Sequence, residues 1–156
     1  MKNKLYPSLV IVTSLLMGCN SSKDDIYLSC NGFSETINVY GNNIEQKRES
    51  LVIPVQIRRL DGLLEGLLNP PVYQIQIGYT VFENSHLFVD KTQYVGTHKR
   101  LTDSNGNQTE SRFNINRNTN HFIYYDFSFS PKTKELDKTQ KTIDFEGKCE
   151  RVKERI

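Results

Sequence analysis

Asp103, Asn105 and Asn107 stand at alternate positions in "LTDSNGNQTESRF", the spacing with which an EF-hand loop opens its set of oxygen ligands for calcium. The pattern then breaks: its sixth position, which needs glycine, is Gln108, and its twelfth, which needs a bidentate glutamate, is Asn114. Asn105-Gly106 is instead the dipeptide favoured in tight hairpin turns, where positive φ is required. His86, His98 and His121 are scattered, with no second histidine at i+4 and no carboxylate pair of zincin type, so they read as surface or strand residues. No G-x-S-x-G elbow presents a serine nucleophile. Residue types used in hydrolysis and metal binding are therefore present without the spacing those chemistries need. The expectation is a non-catalytic protein with no cofactor and no metal.

Three cysteines remain, and the first has a distinctive context. Lys2 and Lys4 precede an uncharged run from Leu5 to Gly18, about fourteen residues, in the basic-then-apolar order of an export signal. A transmembrane helix needs roughly 20 apolar residues, so this run is too short for a span. Leu16-Met17-Gly18-Cys19 resembles the lipobox of bacterial lipoproteins. The resemblance implies a signal peptide over residues 1–18, a diacylglyceryl group on the Cys19 sulfur, cleavage after Gly18 and acylation of the new amino group. Two or more acyl chains anchor a protein stably where one holds it only marginally. The residue after the lipidated cysteine is Asn20, not the aspartate that retains enterobacterial lipoproteins on the inner membrane. By the same resemblance, the membrane partner is the outer one, with the domain facing the periplasm.

With Cys19 lipidated, Cys30 and Cys149 are left in an oxidising compartment. They lie near the two ends of the folded part and are expected to form a disulfide. Closing a loop of about 120 residues is worth roughly 5 kcal/mol at most in the chain-entropy model. "NSSKDD", residues 20 to 25, is a polar tether spanning at most about 20 Å, which keeps the domain close to the membrane. The rest, residues 26–156, is enough for one core and one domain. Loss of Lys2 and Lys4 leaves basic and acidic residues balanced at 18 each. The precursor pI of about 8.4 is therefore no sign of nucleic-acid binding, and no basic stripe with interleaved aromatics supports it.

The elements that must position these residues are strands. Period-two alternation runs through Ile37 and Val39, through Leu51, Ile53, Val55 and Ile57, and through Tyr73, Ile75, Ile77, Tyr79 and Val81. It returns at Phe113 and Ile115, at Ile123, Tyr125, Phe127 and Phe129, and at Ile143 and Phe145. Pro54 cannot donate to a ladder and predicts an edge or a bulge. Strands near 92–102 and 109–117 should pair across Asn105-Gly106, and "PKTKELDKTQK" should be a surface loop. Repeated short strands with turn signals predict a mainly β chain, an antiparallel sandwich or small barrel.

One stretch breaks the period. Leu60, Leu63, Leu64, Leu67 and Leu68 fall at helical spacing, interrupted by Gly62 and Gly66 and ended by Asn69-Pro70-Pro71, so at most one short helix is expected there. These leucines either plug one end of the β core or stay exposed as an apolar contact for a partner. "HFIYYDFSF" puts Phe122 and Tyr124 on one face and Tyr125, Phe127 and Phe129 on the other. One face must be core, and the other is either covered or a binding patch.

Two functions fit such a molecule. The first is a binding module of inhibitor or immunity type that holds a periplasmic or envelope protein. "YLSCNG" is similar to the first cysteine segment of membrane-bound lysozyme inhibitors, which are also lipoproteins with a compact β domain and a disulfide. That similarity covers six residues and carries no residue role over. The second is a structural or assembly lipoprotein of an envelope complex.

Overall fold

The computed structural model describes residues 25–60, 71–131 and 138–153. They form one antiparallel sheet of β1 (Ile26–Tyr40), β2 (Asn43–Arg59), β3 (Tyr73–Ile77), β4 (Thr80–Glu83), β5 (Leu87–Val89), β6 (Gln93–Thr102), β7 (Gln108–Asn116), β8 (His121–Ser130) and β9 (Thr139–Val152). The order across the sheet is β4-β3-β2-β1-β9-β8-β7-β6-β5. Apart from β4 and β5, sequence neighbours pair, and the first strand pairs with the last, so the sheet is nearly closed into a barrel-like shape. The chain is mainly β and antiparallel, as its alternation predicts. The only helical element among the described residues is a 3-10 turn at Asn84–His86.

Antiparallel pairing on every ladder makes β4 and β5 run in the same direction. They are two halves of one kinked strand, bent at Asn84–His86: the first half bonds to β3 and the second to β6. Where β4 lacks a backbone ladder to β6, side chains close the gap. The Val81 carbonyl lies 2.6 Å from His98 Nε2, the Thr97 carbonyl 3.2 Å from His86 Nδ1, and the two imidazoles stack at 4.8 Å. Beneath them the Phe82 ring packs at 4.7 Å on both His98 and Phe113. Gly96 is paired with Phe113, and a Cβ there would collide with that ring.

Inward positions over one half of the strands are apolar: Ile53, Val55 and Ile57 of β2, Ile75 and Ile77 of β3, Phe113 and Ile115 of β7, Phe122 of β8 and Phe145 of β9 are buried around the disulfide. Each set follows the period of two that places alternate residues on one face. Cys30 and Cys149 are direct cross-strand partners on β1 and β9 and are bonded. The next inward pair is Gly32 and Gly147, where the two backbones approach so closely that a Cβ on either would collide with the other. Farther along, the inward positions turn polar, as at Ser34, Thr36 and Asn38 of β1, Ser128 of β8 and Lys141 of β9. The short β3–β4 hairpin does not reach this level, so the barrel opens into a curved sheet there.

Two local expectations are corrected. Tyr73 to Val81 is not one strand: Gly78, at φ 57°, and Tyr79 form a two-residue turn between β3 and β4. The alternation continues through the turn by coincidence, Tyr79 is fully exposed, and after it Phe82 faces the core in place of Val81. The strands flanking Asn105-Gly106 do pair antiparallel, but through a loop spanning residues 103–107 in which Gly106 alone has positive φ. The expected short helix near 60–68 lies, from residue 61 onward, outside the described residues.

The disulfide spans 119 residues, so it removes much of the freedom of the unfolded chain. Cys30→Ala/Cys149→Ala should lose about 3–5 kcal/mol, read as a lowered urea midpoint with the folded circular-dichroism spectrum retained in water.

Candidate protein-docking surface

β1 and β2 form a hairpin closed by Gly41, at φ 58°, and Asn42, with Tyr40 opposite Asn43. β3 pairs with β2 only from Val55 to Arg59. From Asn43 to Ile53, therefore, β2 is an edge among the described residues, and this arm of the β1–β2 hairpin borders the curved sheet, with β1 paired to β9 behind it as far as Tyr40. A two-residue turn makes its closing pair a hydrogen-bonded one, and such pairs alternate along an antiparallel ladder. Asn43, Glu45, Lys47, Glu49 and Leu51 thus direct their backbone groups to β1, whereas Ile44, Gln46, Arg48, Ser50 and Val52 direct theirs outward. Pro54 fits this register: its carbonyl faces β3 and accepts the Gly78 N–H at 3.4 Å, and its missing N–H falls on the outward side. Of the edge or bulge expected from Pro54, the structure shows the edge, which ends at this residue, with an unbroken register to β1.

Exposed apolar side chains concentrate on this arm. Ile44 is 71% exposed, Phe33 59% and Val52 51%. All three point to the outer face, opposite Cys30 and Ile53 in the two-residue alternation. The guanidinium of Arg48 lies over the Phe33 ring at 5.4 Å. Across β9, Phe33 and Ile123 flank Glu146 on one cross-strand row, and Glu146 takes a 2.9 Å contact from His121. A shallow groove runs here, lined by Phe33, Arg48, His121, Ile123 and Glu146. On the edge itself Lys47 and Glu49 pair at 2.6 Å, and Gln46 bonds Glu35 on β1. Interfaces concentrate their energy in aromatic and arginine anchors ringed by polar groups, and Phe33 with Arg48 has that composition.

The residues whose types could serve chemistry have structural work. The Asp103 carboxylate accepts the backbone N–H groups of Asn105 and Asn107 at 2.8 and 2.9 Å and the Asn107 side-chain amide at 2.9 Å. It folds the β6–β7 loop, and those hydrogen bonds hold its pKa below the ordinary 3.8. Asp90 does the same for the β5–β6 turn through Thr92 and Gln93, also with a lowered pKa. His86 and His98 close the seam between β4 and β6, and His121 bonds Glu146. Ser111 donates to Asp126 at 2.6 Å beside Tyr124, whose pKa is raised chiefly by burial. Among the described residues no group of three or more histidine, cysteine, aspartate or glutamate side chains is placed to hold a metal ion.

Of the leucines expected to meet a partner, Leu60 is 47% exposed, while Leu63, Leu64, Leu67 and Leu68 lie outside the described residues, as does Cys19. On the aromatic strand Phe122 and Tyr124 face the core; Ile123 is exposed on the outer face, and Phe127 on that same face is nonetheless buried. The arm was missed in the sequence because Ile44, Gln46, Arg48 and Val52 follow no strong apolar alternation. The signal available was the even charge pattern of "EQKRE", a means by which edge strands resist indiscriminate pairing. Compared with known proteins, the chain matches no family model, no curated sequence and no solved structure.

Because Asp90 and Asp103 have lowered pKa values in the folded state, their contribution is fully present above the ordinary carboxylate range. It is lost as pH falls through the folded values. The urea midpoint should drop below about pH 4. Asp103→Asn should flatten that acid limb while lowering the neutral-pH midpoint; an acid limb unchanged in the variant would contradict the role of this carboxylate.

Proposed function

We propose that this protein is a non-catalytic protein-binding module of the cell envelope, anchored by lipid on Cys19 to the outer membrane and facing the periplasm. Its partner is a protein that lays an extended segment along β2. The observation that carries this reading is the arm: about ten residues of sheet edge with outward backbone groups, flanked by Ile44, Val52 and Phe33. Edge addition takes affinity from main-chain hydrogen bonds and specificity from alternate side chains, and the arm supplies both. The lipobox resemblance supports the anchor, and a disulfide joining β1 to β9 suits an oxidising compartment.

Edge pairing has a signature that separates it from side-chain contact. A proline at position 46 removes an outward N–H without cutting the β1–β2 ladder, since that donor does not face β1. Gln46→Pro should weaken capture of the partner at least about tenfold, or ~1.4 kcal/mol, with the urea midpoint nearly unchanged. The measurement is a mild-detergent pull-down of the lipidated protein from its own envelope, and after addition of candidate periplasmic toxins and lysozymes, followed by titration of whatever is retained. Equal retention by Gln46→Pro and the wild type would contradict edge addition. For the anchor, Cys19→Ser should leave an unprocessed precursor that no longer partitions into detergent; unchanged partitioning would overturn it.

A further inference from the structure

Residue 25 is where the tether joins the domain, and the strand ends around it share one character. Tyr27 pairs with Val152, so Lys153 sits beside the start of β1. Ile26 is level with Ile57, and two residues farther Arg59 meets Tyr73. The Tyr73 ring meets Tyr94 edge-on at 6.1 Å, and the guanidinium of Arg117 lies over Tyr94 at 4.8 Å. Arg117 and Arg151 are both within electrostatic reach of the Tyr94 hydroxyl. Arg117 also donates to the Asp90 carbonyl at 2.6 Å, which draws the β5–β6 turn and Lys91 to this end.

Lys91, Arg117, Arg151 and Lys153 are exposed here. Of the neighbouring carboxylates, Asp25 faces Arg58 at 3.3 Å, Asp90 is engaged by its own turn and Glu83 accepts from Gln74 at 3.0 Å, while Glu150 is exposed beside Arg151. Next to them Leu60 and Val72, joined by a 2.9 Å backbone hydrogen bond, are 47% and 40% exposed. Exposed basic side chains and exposed aliphatic residues at one end, backed by the core residue Tyr94 and the half-buried Tyr73, match the composition of a surface that settles on a charged bilayer. The six residues from Cys19 to the domain reach at most about 20 Å, so this end, and not the arm, is the one held against the membrane. The arm tip, about thirteen residues along β2 from Ile57, is roughly 40 Å away.

We infer that the tether end of the barrel is a second docking surface, which rests on the anionic phospholipid headgroups of the membrane carrying the anchor. The inference builds on the lipid-anchor reading. It fixes the domain upright, with the β2 edge held away from the bilayer and free to meet a partner.

The chain contains no tryptophan, so one introduced residue is an unambiguous probe. Full-length lipidated Val72→Trp and Ile44→Trp are reconstituted into phosphatidylcholine vesicles bearing brominated acyl chains, with and without phosphatidylglycerol, and recovered by flotation. At position 72 the emission should be blue-shifted and quenched, more so with phosphatidylglycerol; at position 44 it should be unquenched. Arg117→Gln/Lys153→Gln in the Val72→Trp background should abolish the increment due to phosphatidylglycerol. Flotation with position 72 as unquenched as position 44 overturns this contact and leaves the anchor standing. Failure of the wild-type protein to float overturns both.

Discussion

The structure depends on one long-range pairing: β1, the first strand, against β9, the last, with Cys30 bonded to Cys149 across it. Every other ladder joins strands near in sequence, and those ladders alone would give two separate meanders, β1 to β4 and β5 to β9. Such a contact closes most of the chain into a loop and therefore carries the largest entropic cost of any pairing here. A covalent bond at that place offsets the cost where it is greatest. The glycine pair beside it lets the two backbones come together without side chains between them.

Once the ends are joined, the remaining problem is the opposite side of the ring, where no continuous ladder closes the barrel. The kink at Asn84–His86 lets a single strand serve β3 with one half and β6 with the other. His86 and His98 then supply by side chain the carbonyl partners that backbone amides would supply in an uninterrupted sheet. Because the β3–β4 hairpin is short, closure covers only one half of the strands. The same shortness leaves β2, among the described residues, without a second neighbour from Asn43 to Ile53. The exposed edge is thus a consequence of how the barrel closes, and its charges limit the indiscriminate pairing that such edges invite.

Much of this was legible in the residues. Period-two alternation located Ile53, Val55, Ile57, Phe113, Ile115 and Phe145 on strands, and cysteine arithmetic placed the disulfide. Pro54 marked the edge. Alternation failed at a turn: Tyr73 to Val81 reads as one strand because the exposed Tyr79 and Val81 continue the odd-numbered apolar series, although the two-residue turn moves the inward set to even numbers at Phe82 and Gly78 was the available clue. Ile37 and Val39 mark β1 correctly but lie on its outer face, since the inward face there carries Cys30, Gly32 and Ser34. Asp103, Asn105 and Asn107 look like calcium ligands because both jobs, ligation and loop capping, need short oxygen-bearing side chains close in sequence. The seam formed by His86 and His98 could not be read, because it depends on which strands the closed ring brings face to face.

Strand addition at this edge depends on the direction in which alternate β2 amides point. Amide hydrogen exchange followed by NMR tests this directly, residue by residue, in the free protein. Glu45, Lys47 and Glu49, bonded to β1, should exchange slowly, and Ile44, Gln46, Arg48 and Ser50 should exchange fast. Addition of a bound partner should then protect the second set. Uniform exchange along the arm, or a partner that leaves Gln46 and Arg48 unprotected, would contradict an edge that works by strand addition.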